Sequence, residues 1–196
     1  MDAMDALFTR RSTRKMKKEP LPRPLIEKVI EAGRMAPSGG NSQTTHFLVL
    51  TSPAQLDALA DLVQSAFAEM EATENMYRSI QNSIRASKKG GYRYDYGAPV
   101  LIVTANQRSY GNAMADSACA LENMMIAANA LNLGSCWINQ LHWLDENSSV
   151  RAFLEKLGLG KDETITGGLI LGYPDTKDGL PCREPLERTG NKVTWA

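Results

Sequence analysis

Arg10, Arg11, Ser12, Thr13 and Arg14 put three guanidiniums and two hydroxyls into five consecutive residues. Guanidinium is a planar fork of N–H donors that matches phosphate oxygens, and each charge-assisted hydrogen bond contributes roughly 1.5–3 kcal/mol. In an extended segment Arg10, Ser12 and Arg14 point to one side and Arg11 to the other, so the run reads as a phosphate clamp. A second segment, Ala36-Pro37-Ser38-Gly39-Gly40-Asn41-Ser42-Gln43, is a turn of small, donor-rich residues. Glycine lets backbone approach a ligand closely, and Asn41 and Gln43 each add an amide that donates and accepts. This segment reads as a cradle for the flat, hydrogen-bonding part of a nucleotide-like cofactor. Taken alone, each segment also has a plainer reading. The first is then a solvated basic run after a helix, and the second a Gly-Gly helix cap followed by a loop.

The surrounding elements have to position these two segments. Residues 2–9 suit a short helix feeding the arginines. Pro24 suits a first helical turn, and Leu25, Ile26, Val29, Ile30 and Gly33 continue at helical spacing until Pro37. Residues 46–51 (HFLVLT), 99–104 (PVLIVT), 135–139 (SCWIN) and 164–172 (TITGGLILG) are short apolar runs expected as strands. Ser52 and Gln55 have capping-box spacing and open a helix along Leu56, Leu59, Ala60, Val63 and Phe67. Residues 113–133 predict a long helix ended by Gly134, and 148–157 an amphipathic helix closed by Gly158. Residues 70–95 mix charges, serines and tyrosines and read as a variable insert or lid with partial helix, apart from the core. The last 24 residues, 173–196, are too polar to pack alone and read as an arm wrapping a second subunit. Strands alternating with helices imply an α+β fold with a mixed or antiparallel sheet between helices.

Bulk properties narrow the function. A chain of 196 residues with 43% hydrophobic and 22% charged residues suits one soluble domain. Twenty-two cations balance 22 anions, which argues against nucleic acid as a partner despite the acid-free run at residues 10–18. The longest uncharged stretch, 123–144, is broken by Asn129, Asn132, Gly134, Asn139, Gln140 and His142, so no membrane span is expected. The acidic opening Met1-Asp2-Ala3-Met4-Asp5 lacks a secretory pattern, and the expected location is cytoplasmic. Cys119, Cys136 and Cys182 are too widely spaced for a metal or redox pair, and His46 and His142 stand without clustered acids, so no metal site is expected. No Walker A or GxGxxG motif is present.

Read together, RRSTR followed by APSGGNSQ and an apolar strand resembles the FMN-dependent nitroreductase family. The agreement extends through Tyr96-Gly97-Ala98-Pro99, Ala120-Leu121-Glu122-Asn123-Met124, Leu133 to Gln140, and Leu171-Gly172-Tyr173-Pro174. Only residues 70–95 fall outside it. The resemblance implies a three-layer sandwich in a domain-swapped homodimer with two FMN sites at the interface. It implies that Arg10, Arg11, Ser12 and Arg14 come from one subunit, and Pro37, Ser38, Gly39 and Asn41 from the other. It places Trp137, Ile138 and Asn139 along the flavin ring, with a backbone N–H near the reactive N5. Relatives carry a Lys and an Arg on the phosphate near the C-terminus; here Leu186 stands for the Lys and Arg188 keeps the Arg.

The implied activity is ping-pong hydride transfer from NADH or NADPH, a transient donor, through FMN to a nitroaromatic, quinone or other small electron-poor acceptor. No side chain is assigned as catalytic. The alternatives are a reductase or dehydrogenase for one metabolite on the same fold, or a non-enzymatic flavin- or nucleic-acid-binding protein. Several residues carry a functional and a structural reading at once. His46 suits a hydrogen-bonded structural role, His142 a surface loop, and Cys136 a small buried hydrophobe. Glu122 and Asn129 share a helical face with Ile126, suiting an interface contact, a solvated face or a satisfied core. Tyr77, Tyr92 and Tyr94 are candidates for lining a substrate pocket.

Overall fold

The computed structural model describes residues 1–196. Its centre is a four-stranded antiparallel sheet in the order β1-β2-β4-β3. The strands are β1 (His46–Leu50), β2 (Val100–Gln107), β3 (Gly134–Ile138) and β4 (Glu163–Gly172). The two inner strands, β2 and β4, are buried almost end to end, which is why their sequences are continuous apolar runs and do not alternate. The free edge of β3 is closed by the arginine segment, where Ser12 forms a parallel bridge to Ser135 and the Thr13 N–H donates to the Ser135 carbonyl at 2.8 Å. Covering an edge this way removes a site for unwanted strand pairing.

Helices cover both faces. On one face α2 (Arg23–Arg34) and α5 (Ala113–Ala130) pack over a core of Val29, Val100, Ile102, Leu121, Met124, Leu169 and Leu171. On the other, α3 (Pro53–Ala68), α4 (Arg78–Lys89), α6 (Gln140–Trp143) and α7 (Ser148–Lys156) surround Leu50, Leu59, Phe67, Leu101, Val103, Leu141, Leu154 and Ile170. The first helix, α1 (Ala3–Thr9), is capped by the Asp2 carboxylate, which accepts from the Asp5 N–H, and lies along α5. Asn129 on α5 fastens it there, donating to the Ala6 carbonyl and Thr9 Oγ1, both at 3.0 Å. No helix is long and apolar enough to cross a membrane.

Four expectations change. The Ser52–Gln55 capping box does not form: Ser52 precedes α3 without a side-chain cap bond, and Pro53 starts the helix by presetting φ in the first turn. Residues 70–95 do not stand apart from the core, because α4 lies within them and Ile84 and Tyr94 are each only 1% exposed. The buried positions on α4 are Ser83, Ile84 and Ser87; with two hydroxyls on the inward stripe, apolar periodicity gives no sign of burial. Tyr94 therefore lines no pocket, and its burial raises the phenol pKa well above the ordinary value. His142 is half-buried rather than a surface residue, with Nδ1 2.7 Å from the Ile165 carbonyl.

Asp145 ties the loops at one end of the sheet. Its buried carboxylate accepts from Arg151 at 3.0 Å, Arg108 at 3.0 Å, Thr164 Oγ1 at 2.8 Å and the Ile165 N–H at 3.0 Å. Arg151 in turn donates to the carbonyls of Gly160, Lys161 and Glu163. Removing one partner of such a buried pair leaves the other charge uncompensated. Asp145→Ala is expected to lower the unfolding free energy by about 3–5 kcal/mol, read from urea denaturation; a loss under about 1 kcal/mol, the value of an exposed pair, would contradict this role.

Candidate functional site

The cradle lies between α2 and β1, beside the N-terminal end of α5. Pro37 is exposed, and Gly39–Asn41 form a single 3-10 turn in which the Asn41 N–H donates to the Ser38 carbonyl at 2.9 Å. The chain leaves this turn through left-handed residues: Gly40 at φ 58°, Asn41 at φ 55° and Gln43 at φ 52°. Such conformations persist only where surroundings over-determine them. Here the fastening is Asp116, whose carboxylate is 6% exposed and accepts from the Gly39 N–H at 3.1 Å and the Tyr110 hydroxyl at 2.8 Å. Ser42 Oγ donates to the Tyr110 oxygen at 3.0 Å, and the Gln43 N–H donates to Ser38 Oγ at 3.1 Å. A side chain at Gly39 has no space, because a Cβ there would come within 2.2 Å of Asn112 Nδ2 and 2.6 Å of the Tyr110 oxygen.

The backbone donors of the cradle are thus largely consumed in holding its own shape. What it offers outward is the exposed side chains of Asn41 and Gln43. Asp116, Tyr110 and Asn112 were not singled out from sequence. The available signal was one acid in the first turn of a long helix, Asp116, where a carboxylate is favoured to meet backbone N–H groups.

The arginine segment behaves differently from a simple alternating strand. Arg10 turns to α5, with Nε 3.2 Å from Glu122 Oε1. Arg11 turns to the C-terminal segment and donates to the Glu184 carbonyl. Ser12 is exposed beside Ser135, and Arg14 lines a cavity near Val100 at the other end of the sheet from the cradle. Arg10, Ser12 and Arg14 therefore do not share one side within a single chain, since only one residue pairs with β3 before the backbone turns toward Pro174. Arg188 lies in the exposed arm after β4, which carries no further helix or strand.

Trp137, Ile138 and Asn139 end β3. Ile138 is 4% exposed and belongs to the core, so only its backbone is available to a ligand. Trp137 lies on the opposite face, and its Nε1–H donates to Asn139 Oδ1 at 2.6 Å. A Cβ on Gly167 would meet that same Nε1 at 3.0 Å, so the glycine makes room for the indole. Asn139 is thereby held by its oxygen.

Next to it, Gln140 Nε2 donates to the Tyr92 hydroxyl at 3.1 Å. Ser83 spends its proton on the Ser79 carbonyl at 3.1 Å, so Tyr92 donates to Ser83 at 2.9 Å. This directed chain ties α4 to the start of α6. Burial raises the Tyr92 pKa, so the phenol keeps its proton. Gln140 Oε1 is buried and has no partner.

Other candidates resolve structurally. His46 Nδ1 lies 2.9 Å from Glu163 Oε2, which also accepts from the Gly160 N–H. Asn129 is 3% exposed and satisfied by α1 and Arg183, whereas Glu122 pairs with Arg10. Tyr77 is 65% exposed and meets Trp143 edge-on at 5.9 Å. No group of three His, Cys, Asp or Glu side chains is placed to hold a metal ion.

Comparison with known proteins finds relatives over nearly the whole chain. Residues 7–173 match the family model described as "Nitroreductase family". An NADH dehydrogenase of Thermus thermophilus is 29% identical over 213 residues, covering 100% of this chain and 96% of its own length. A 4-nitrobenzoate reductase of Pseudomonas putida is 27% identical over 201 residues, covering 89% of this chain and 86% of its own. A crystal structure of a nitroreductase with bound FMN from Bacteroides fragilis superposes with a TM-score of 0.86 at 29% identity, covering 100% of both chains.

The Asp116 fastening is directly testable. Asp116→Ala orphans the Gly39 N–H and the Tyr110 hydroxyl, so the unfolding free energy is expected to fall by about 1–3 kcal/mol. Amide hydrogen exchange at Gly39 and Gln43 is expected to accelerate by about tenfold or more. Unchanged exchange at both amides would show that the cradle keeps its shape without the carboxylate.

Proposed function

The chain belongs to the nitroreductase family, and on that footing we propose that it is an FMN-dependent NAD(P)H oxidoreductase that works as a homodimer, with each cofactor held by two chains. The observation that carries this reading is the separation of the two binding segments along α5. Asp116 fastens the cradle and Asn129 fastens the helix that leads into the arginines. The two fastenings stand thirteen positions apart on the helix, about 20 Å at about 1.5 Å per residue. Two chains related by a two-fold axis bring one protomer's clamp to its partner's cradle.

The surfaces left open support the dimer. Met4, Leu7 and Phe8 on α1 are 56%, 47% and 68% exposed, and Leu186, Val193 and Trp195 in the arm are 59%, 72% and 93% exposed. Apolar side chains grouped in this way call for a partner surface. The arm is anchored to its own chain by Arg183, which donates to the Asn129 carbonyl at 2.8 Å and to Asn132 Oδ1 at 2.6 Å. Glu184, whose carbonyl accepts from Arg11, is held as well, and beyond it the arm is free to reach a second subunit.

The residues present fit FMN. Ser12, Arg14 and Arg188 supply a hydroxyl and two guanidiniums without an acid partner in the chain, which suits a phosphate. Arg10 is paired with Glu122 within the chain, so that acid carries a partner of its own. Asn41 and Gln43 offer amides for a ring edge that both donates and accepts. The buried, unpartnered Gln140 Oε1 is an acceptor awaiting a donor next to Asn139.

FMN, when bound, supplies a hydride carrier between NAD(P)H and an electron-poor acceptor. The balance for a nitroaromatic is NAD(P)H + H⁺ + ArNO₂ → NAD(P)⁺ + ArNO + H₂O. Donor and acceptor take turns at one site, the oxidised nicotinamide leaving before the acceptor enters. The protein's part is positioning: the Trp137 indole fixes the Asn139 amide, and the Gln140–Tyr92–Ser83 chain fixes the start of α6 against α4. The proton comes from solvent at an open site, so no side chain is required as an acid. The 4-nitrobenzoate reductase among the relatives supports a nitroaromatic acceptor. A cytoplasmic location accords with a nicotinamide donor.

Mixing two defective chains tests the shared site. Arg14→Glu disables the clamp and Gly39→Trp the cradle, so each variant homodimer is expected to hold no FMN. Coexpressed, the mixed dimer pairs one intact clamp with one intact cradle and is expected to regain about one FMN per two chains. Failure to regain any flavin, with both variants folded and dimeric, would contradict a site built from two chains.

A second test concerns Asn139, where Asp keeps the acceptor for the Trp137 indole but adds a charge. Reduction of the cofactor adds negative charge nearby, which a carboxylate opposes. The midpoint potential of Asn139→Asp is expected to fall, and an unchanged potential would show that residue 139 does not face the ring.

A further inference from the structure

A cavity of about 500 Å³ opens between the first turn of α3, the loop before β2 and the segment that follows the arginines. Its floor is built from Leu21, Leu56 and Val100, which are 7%, 4% and 1% exposed. Tyr96, 45% exposed and left-handed at φ 54°, forms one wall. A non-glycine residue keeps that conformation only where its surroundings over-determine it, and such positions cluster where a protein grips a ligand.

Part of the charge at the rim is already committed. Arg93 donates to Asp57 at 2.6 Å and forks onto the buried Asp95 at 2.9 and 2.8 Å. Arg14 and Lys18 line the same cavity with no acid of their own. An aliphatic floor, an aromatic wall and an uncommitted ammonium together suit an indole. Its ring rests on the aliphatic carbons, meets the tyrosine edge to face, and offers its electron-rich face to the cation.

The chain carries one indole that its own fold does not use. The Trp137 ring is held by Asn139 and the Trp143 ring meets Tyr77, whereas Trp195 is 93% exposed in the arm. The arm starts at the same end of the sheet as the cavity. Arg183 is held by Asn132 just before Gly134, and the pairs Gly134–Gly172 and Val100–Leu171 are neighbours in the sheet. Even so, Trp195 does not enter the cavity of its own chain. Glu184 and Trp195 stand eleven positions apart, a reach of at most about 40 Å, which is ample for crossing to a second copy.

We propose that this cavity is the seat of the partner subunit's Trp195. The indole lies on Leu21, Leu56 and Val100, meets Tyr96 at its edge and takes Lys18 on its face, while Arg14 stays with the cofactor. By two-fold symmetry each chain gives one arm and receives one. The seat rests on the homodimer proposed above and assigns the place where each arm is fastened.

The test uses the full chain labelled with 5-fluorotryptophan, in which Trp195→Phe identifies one of the three fluorine resonances. In the dimer the Trp195 fluorine is expected to lack the shift that an exposed indole shows between light and heavy water. Thr51→Phe puts a ring into the cavity from an exposed position and is expected to restore that shift. In sedimentation equilibrium, Trp195→Ala is expected to raise the dimer dissociation constant about tenfold or more, as loss of a buried aromatic anchor does. Lys18→Met is expected to raise it about two- to fivefold, the worth of one cation–π contact.

A dimer whose Trp195 fluorine keeps the full solvent shift, or stays protected in Thr51→Phe, overturns the seat and leaves the homodimer standing. Protection that persists on dilution to single chains places the arm on its own chain and overturns the exchange. An unchanged dissociation constant for Lys18→Met overturns the part given to the cation. A chain that is monomeric at every concentration overturns both the seat and the homodimer.

Discussion

The arrangement of this protein depends on one carboxylate. Asp116, buried at the start of α5, accepts from the Gly39 amide and the Tyr110 hydroxyl and so holds a loop whose backbone is left-handed at three nearby positions. Without a fixed acceptor, a loop rich in glycine, serine and asparagine would have many conformations of similar energy. With it, the loop has one shape, and the amides of Asn41 and Gln43 face outward. The same helix carries Asn129 at its far end, which fixes α1 and the approach to the arginines. One rigid helix thus sets both halves of the site and also keeps them apart.

That separation explains features that serve no purpose in an isolated chain. An apolar face on α1, an arm without secondary structure and a Trp195 that is 93% exposed are costly for a monomer in water. In the proposed homodimer a second copy would lie along α5, cover them and complete the site. The sheet behind them is built for rigidity. Its inner strands are buried on both faces, Ser12 closes the β3 edge, and Asp145 gathers β4, α7 and the preceding loop around one charge.

Much of this was legible in the sequence. All four strands follow from short apolar runs, and α2 and α5 from helical spacing bounded by Pro24 and Gly134. The arginine run and the Gly-Gly turn stand out by composition, because phosphate and ring recognition would demand donors of those types. What could not be read has physical causes. Ser83 and Ser87 occupy the inward stripe of α4, so its burial left no apolar trace. Period-2 alternation predicted one face for Arg10, Ser12 and Arg14, but a single bridge to Ser135 does not make a strand, and the three side chains diverge. Asp116 and Tyr110 lie more than seventy residues from Gly39, and no local spacing announces contacts that only the packed α5 creates.

The central claim, that the cofactor is gripped by two chains at once, is met most directly by sedimentation equilibrium of the purified protein followed at the visible absorbance of flavin. If the grip is shared, the coloured species has the mass of two 21.5 kDa chains at every concentration, and dilution to single chains releases the colour. Flavin sedimenting with a single 21.5 kDa chain would contradict it.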